Sequence, residues 1–291
     1  MTAAGETYLE RLAARSAATG TVLCVGLDPD PRALPDGFSP DVRGIERFCE
    51  VLLDVAVPHA AAVKPNLAFF EAYGAPGLAA LERLRRRVPA DVPVVADAKR
   101  GDIGSTAAHH ATALFDVLGA DAVTVSPYLG SEAIGPIIER PDRFAYVLCR
   151  TSNAGAGEFQ DLAVPADPDL DAPGEPLYLR VARRVVAWGP GGTVGLVVGA
   201  TAPIELAAVR AVAPGLPFLV PGVGAQGGDA EAVLRHGAAT ARPGAGRAGG
   251  GLLVNVSRGI TGAAADARPA DVERALGAAA LVWAGRLPVL E

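Results

Sequence analysis

The sequence predicts an α/β chain folded as a (β/α)8 barrel, and three observations carry that prediction. Eight short β-rich runs recur along the 291 residues, helix-like patterns fall between them, and the runs are almost continuously apolar. Unbroken apolar runs suit parallel strands covered on both faces. A doubly wound open sheet has the same pattern and is the second reading, because pattern alone does not show closure.

Residues 1–20 lack the apolar centre of a signal peptide, and Glu6 and Glu10 count against a transit peptide. Tyr8, Leu9, Leu12 and Ala13 share one helical face, so an extra helix packed on the main domain is expected there. The first strand is "TVLCVGL" (21–27), followed by the helical "GIERFCEVLLDVAVPH". The second is "AAVKP" (61–65), with "GLAALERLRRRV" after it, and the third is "VPVVADA" (92–98), leading to a helix that starts near Ser105. "DAVTVS" (121–126) and "FAYVLC" (144–149) are the fourth and fifth, and "PLYLRVARRVVAWG" is the next helix. "TVGLVVG" (193–199), "PFLVPG" (217–222) and "LLVNVS" (252–257) complete the set, with helices at "PIELAAVRAVA", "DAEAVLRHG" and "PADVERALGAAALVWAGRL". The whole chain, 1–291, therefore reads as one TIM barrel domain with a helical extension. Two long loops interrupt it, at 150–176 and 237–251. The first follows a strand's C-terminal end, where barrel active sites lie, and is expected to be functional. The second precedes a strand, on the opposite face, and is expected to be a tolerated insertion.

Composition narrows the function. A net charge of −6 argues against nucleic-acid and anionic-membrane partners, and no apolar run is long enough to span a bilayer. Cys24, Cys49 and Cys149 are far apart in apolar surroundings, which reads as buried free thiols in a reducing cytoplasm. The histidines at 59, 109, 110 and 236 have no metal-ligand spacing.

Charge gathers at the strand ends instead. Asp97 and Lys99 stand two apart at the end of the third strand and leave the same face of it. Asp28 ends the first strand in "GLDPD", Lys64 ends the second in "VKPN", and Asp102 lies three residues past Lys99. A single such pair is most simply a structural ion pair. Recurrence at three successive strand ends, in a chain only 20% charged, points to chemistry at a barrel mouth.

These residues also carry a resemblance. "DAKRGDIGST" resembles the D-x-K-x-x-D-I-x-x-T signature of orotidine 5′-phosphate decarboxylases, which convert orotidine 5′-monophosphate (OMP) to UMP. "GLDPD", "VKPN", "RTSN", "PGVGAQGG" and "SRGI" follow in the family's order, and "KPN", "RTSN" and the loop after the fifth strand resemble its longer bacterial members. The resemblance implies a charge network of Lys64, Asp97, Lys99 and Asp102, with Asp102 supplied by the partner in a homodimer. It implies that Lys99 protonates C6, that Asp28 and Lys64 hold ribose hydroxyls, and that no metal or organic cofactor takes part. It places Ser152, beside Asn153 at the start of the strand-five loop, against the pyrimidine amide edge. Thr106 is then a second contact from the partner subunit.

"PGVGAQGG" contains G-x-G-x-x-G, but in the seventh unit and without the acidic residue that a dinucleotide site needs. A phosphate cradle fits better, with glycine N–H groups near the anion and Arg258 as a permanent charge. The resemblance adds Gln226 and the Gly259 backbone as phosphate contacts. Two rivals remain: a sugar-phosphate lyase or aldolase using Mg2+, and a catalytically silent nucleotide-binding barrel. Lys64 stands where the first would carry a carboxylate metal ligand. The second has no use for a lysine held between two carboxylates.

Overall fold

Each of the eight apolar runs forms a strand of one parallel sheet. In this computed structural model, which describes residues 6–189 and 192–290, they are β1 (Leu23–Leu27), β2 (Ala62–Pro65), β3 (Val95–Arg100) and β4 (Ala122–Val125). They continue as β5 (Phe144–Arg150), β6 (Val194–Val198), β7 (Phe218–Pro221) and β8 (Leu253–Val256). The hydrogen-bonded order is β2-β1-β8-β7-β6-β5-β4-β3. Its two ends meet through single bridges, Val63 opposite Val94 and Asn66 opposite Asp97. The N–H groups of Val63 and Leu67 donate across this seam to the carbonyls of Pro93 and Asp97, at 3.0 and 3.2 Å. The sheet is a closed barrel, not an open one.

Around it lie α2 (Val42–Ala56), α3 (Gly74–Arg87), α4 (Gly104–Ala111), α5 (Leu177–Trp188), α6 (Pro203–Val212), α7 (Ala230–Gly237) and α8 (Val272–Arg286), with α1 (Tyr8–Thr19) preceding them. After β4 the outer layer is a single helical turn, Gly135–Ile138. Local chemistry sets several boundaries. Thr7 and Glu10 form a reciprocal capping box at the start of α1, and Gly20 ends it in the left-handed conformation. Asp41 and Asp229 cap α2 and α7 by accepting first-turn N–H groups.

The core has two parts. One lies between the strands and the outer helices. The other fills the barrel itself, where Cys24, Ala62, Val95, Ala122, Tyr146, Val197, Leu219 and Leu253 meet Tyr8, Leu9 and Leu12 of α1. The extra helix thus closes the N-terminal end of the barrel. Tyr8 stacks on Phe144 with ring centroids 4.8 Å apart, and its hydroxyl lies 3.1 Å from that of Tyr146. Arg11 donates to Asp121 at 2.6 Å, both side chains being buried. Among the described residues, no helix is long and apolar enough to cross a membrane.

The two long loops differ from each other and, for the second, from expectation. The 150–176 segment leaves β5 at the barrel mouth and is tied down by ion pairs: Glu175 with Arg180 and Arg183, Asp167 with Arg180 and Arg184. The 237–251 segment is not a loose insertion. Its Gly249, Gly250 and Gly251 are buried, and a Cβ on Gly249 would come within 2.9 Å of Val22. Thr240 and Gly244 donate to the carbonyls of Pro214 and Gly215, so the segment is packed into the barrel's lower end.

Candidate active site

Strand alternation decides what the barrel presents at its mouth. On β1 to β4, the positions two residues beyond the apolar Cys24, Ala62, Val95 and Ala122 are Gly26, Lys64, Asp97 and Thr124. On β2 and β3 the inward layer therefore changes from apolar to charged within one residue pair.

Asp97 is the centre of this layer. Lys64 Nζ donates to its Oδ2 and Lys99 Nζ to its Oδ1, both at 2.6 Å. The Thr124 hydroxyl also donates to Oδ1, at 2.9 Å. The side chains of Lys64 and Asp97 are 5% and 10% exposed, whereas that of Lys99 is 52% exposed at the rim. Burial by itself would raise the Asp97 carboxyl, but the charges and hydrogen bonds of Lys64 and Lys99 outweigh it and hold that group well below the usual carboxylate range. Burial likewise pushes Lys64 down, and Asp97 and Asp28 more than reverse it, leaving the ammonium raised. Asp97 and Lys64 are thus held as a fixed ion pair. Each Asp97 oxygen carries an ammonium, so a cation bound there would face two positive charges.

Above the array lies a cavity of about 150 Å³. Five of the expected residues line it: Asp28, Lys64, Asp97, Gln226 and Arg258. Gly222 takes φ +98°, and a Cβ there would sit 2.9 Å from Gln226 and 3.0 Å from Ser152. That glycine lets the loops after β5 and β7 close on each other and brings Ser152 beside Gln226. Gly259 follows Arg258 in a short helical turn, where its carbonyl accepts the Trp283 indole N–H at 2.9 Å.

Three expected residues stand apart. Asn153 is exposed and accepts from the Thr151 hydroxyl at 2.7 Å. Thr106 is exposed on α4. Asp102 accepts only its neighbour's N–H, that of Ile103, and pairs with no lysine or arginine among the described residues. Ile103 and, on the neighbouring loop, Tyr128 and Leu129 are exposed apolar side chains, Tyr128 at 90%.

Other polar residues of the site escaped sequence reasoning. Asn66, Asn255 and Ser257 line the cavity, and Asn255 Oδ1, Ser257 Oγ and Asp28 Oδ1 are buried atoms with no hydrogen-bond partner among the described residues. Such acceptors suit a hydroxyl-bearing ligand. The period-two inward count from Leu253 would have found Asn255 and Ser257, and the same count from Ala122 would have found Thr124.

The sequence model of the family described as "Orotidine 5′-phosphate decarboxylase / HUMPS" matches residues 21–271. The orotidine 5′-phosphate decarboxylase of Roseiflexus castenholzii is 51% identical over 239 residues, 82% of either chain. That of Thermomicrobium roseum is 48% identical over 269 residues, covering 92% of this chain and 91% of the other. Among solved structures, a putative orotidine-monophosphate-decarboxylase from Toxoplasma gondii gives a TM-score of 0.81 at 38% identity, over 95% of this chain and 93% of that one. Leishmania donovani UMP synthase gives 0.80 at 43% identity over 96% of this chain, which spans 55% of the length of that protein.

Proposed function

As the chain belongs to the orotidine 5′-phosphate decarboxylase / HUMPS family, we propose that it converts OMP to UMP and CO2 in pyrimidine nucleotide synthesis, without metal or organic cofactor. The observation that carries this reading is the Lys64–Asp97–Lys99 array at the barrel mouth, with an ammonium on each Asp97 oxygen. In the reaction, the bond between C6 and the carboxylate breaks and its electron pair stays on C6. The Lys99 ammonium stabilises that charge as it develops and then gives C6 its proton. Asp97 holds Lys99 and lies against the departing carboxylate.

The remaining roles are those that the resemblance to the family implies. Asp28 and Lys64 take ribose hydroxyls, which would give the orphaned Asp28 Oδ1 a donor. Arg258, Gln226 and the Gly259 N–H take the phosphate, while Ser152 and Asn153 serve the pyrimidine edge. Asp102 and Thr106 act in the site of a second copy, in a homodimer. Asp102's lack of a cationic partner in its own chain, among the described residues, and the exposed apolar side chains beside it support that assignment. Three buried free thiols suit a reducing cytoplasm.

The Mg2+-dependent sugar-phosphate reading is the alternative, and Lys64 at the end of β2 speaks against it. The deciding assay follows the loss of OMP absorbance with and without EDTA. Turnover that survives chelation, and that Lys99→Ala abolishes while UMP still binds, is the expected result. Activity that requires Mg2+, or that persists in Lys99→Ala, would refute the proposal.

A further inference from the structure

We propose that Thr124 is a positioning residue that couples the Asp97 carboxylate to the backbone carrying Lys99; this rests on the decarboxylase reading above. In the β3–β4 ladder Ala96 faces Val123 and Arg100 faces Val125. Asp97, Ala98 and Lys99 therefore lie opposite Thr124 alone, in a bulge. Lys99 adopts φ +48°, a left-handed conformation unfavourable for a side chain of its size. The bulge takes the Lys99 N–H out of the ladder, and the Thr124 hydroxyl oxygen accepts it at 3.0 Å.

The direction of each bond follows from chemistry alone. The Asp97 carboxylate only accepts and the Lys99 amide only donates, so the one Thr124 proton points at Asp97 and a lone pair faces Lys99. One hydroxyl thus fixes both the carboxylate that grips the ammonium and the peptide from which that ammonium extends. Thr124 is buried, and its branched Cβ restricts χ1, so the hydroxyl is held in place before substrate arrives. It touches no reacting atom. Its effect is to keep Lys99 Nζ where a proton must be delivered.

Thr124→Val preserves shape and removes only the hydroxyl, and Thr124→Ser keeps the hydroxyl. For Thr124→Val we expect kcat for OMP to fall by about 100-fold, the cost of a reacting group misplaced by about 1 Å. UMP affinity should stay within about twofold, since the loss is in the transition state. Thr124→Ser should recover most of kcat, and amide hydrogen exchange at Lys99 should speed up in the Val variant but not in the Ser variant. A kcat in Thr124→Val close to wild type overturns the proposal, and so does a Ser variant as slow as the Val one. Should Thr124→Val not fold, Thr124→Ala is read against Thr124→Ser by the same criteria. A wild-type protein inactive on OMP refutes the decarboxylase reading instead, and the exchange measurement then decides on Thr124 by itself.

Discussion

Asp97 holds two ammonium groups on its two oxygens, so its ionisation sets the charge of the whole site. Its native pKa lies well below the ordinary 3.8, which makes the stability it contributes pH-dependent in a definite direction. That contribution is complete above the unfolded-state value and is lost as pH falls through the native one. Urea unfolding of wild type and Asp97→Asn should therefore differ by a constant amount from about pH 8 down to about pH 5, and the wild type should lose ground by about pH 3. A difference that does not change with pH would mean the lysines do not depress this group. Most of this chemistry was legible as letters, because D-x-K places two opposite charges on one face of a strand. Thr124, Asn255 and Ser257 become legible only once one inward position on their strand is known. A polar residue inside an apolar run looks the same whether it faces the barrel axis or an outer helix, and only the strand register tells the two apart.

The strands and helices were largely visible in the periodicity, since a parallel strand buried on both faces leaves an unbroken apolar run. Closure was not visible, because β2 and β3 join through two isolated bridges that carry no special sequence. The close packing of the glycine-rich 237–251 segment was not visible for a related reason. Small residues are used there for close approach to Val22 and Pro217 rather than for freedom of movement. The role of α1 rests on its buried contacts, above all Arg11 with Asp121. Arg11→Ala removes the one short charge-assisted bond but leaves Asp121 with Arg85 and Arg143 at 3.8 and 3.7 Å and the Val94 N–H, so it should cost about 2 kcal/mol in urea unfolding. Its kcat should be unchanged, because the pair lies at the end of the barrel away from Asp97. A loss of stability below about 0.5 kcal/mol, the level of an exposed pair, would show that Arg11 is effectively solvated.

At the scale of the whole molecule, the question is whether one chain makes a complete site. If Lys99 acts in its own chain's site and Asp102 in its partner's, a dimer of Lys99→Ala with Asp102→Ala has one site with both lesions and one with neither. Random re-pairing of equal amounts yields about half such mixed dimers, so activity should return to about a quarter of wild type per site from two nearly inactive parents. No recovery, with subunit exchange verified, would place Asp102 in its own chain's site. The stoppered lower end of the barrel adds a consequence of another kind. With Tyr8, Leu9 and Leu12 seated in it, the barrel is a well packed shut below, and the Lys64–Asp97 pair lines the cavity at its mouth. Whatever settles in the mouth dries the pair it covers. Attraction between fixed charges strengthens as the surrounding dielectric falls, so Lys64 and Asp97 hold one another more tightly beneath an occupant than beneath open solvent.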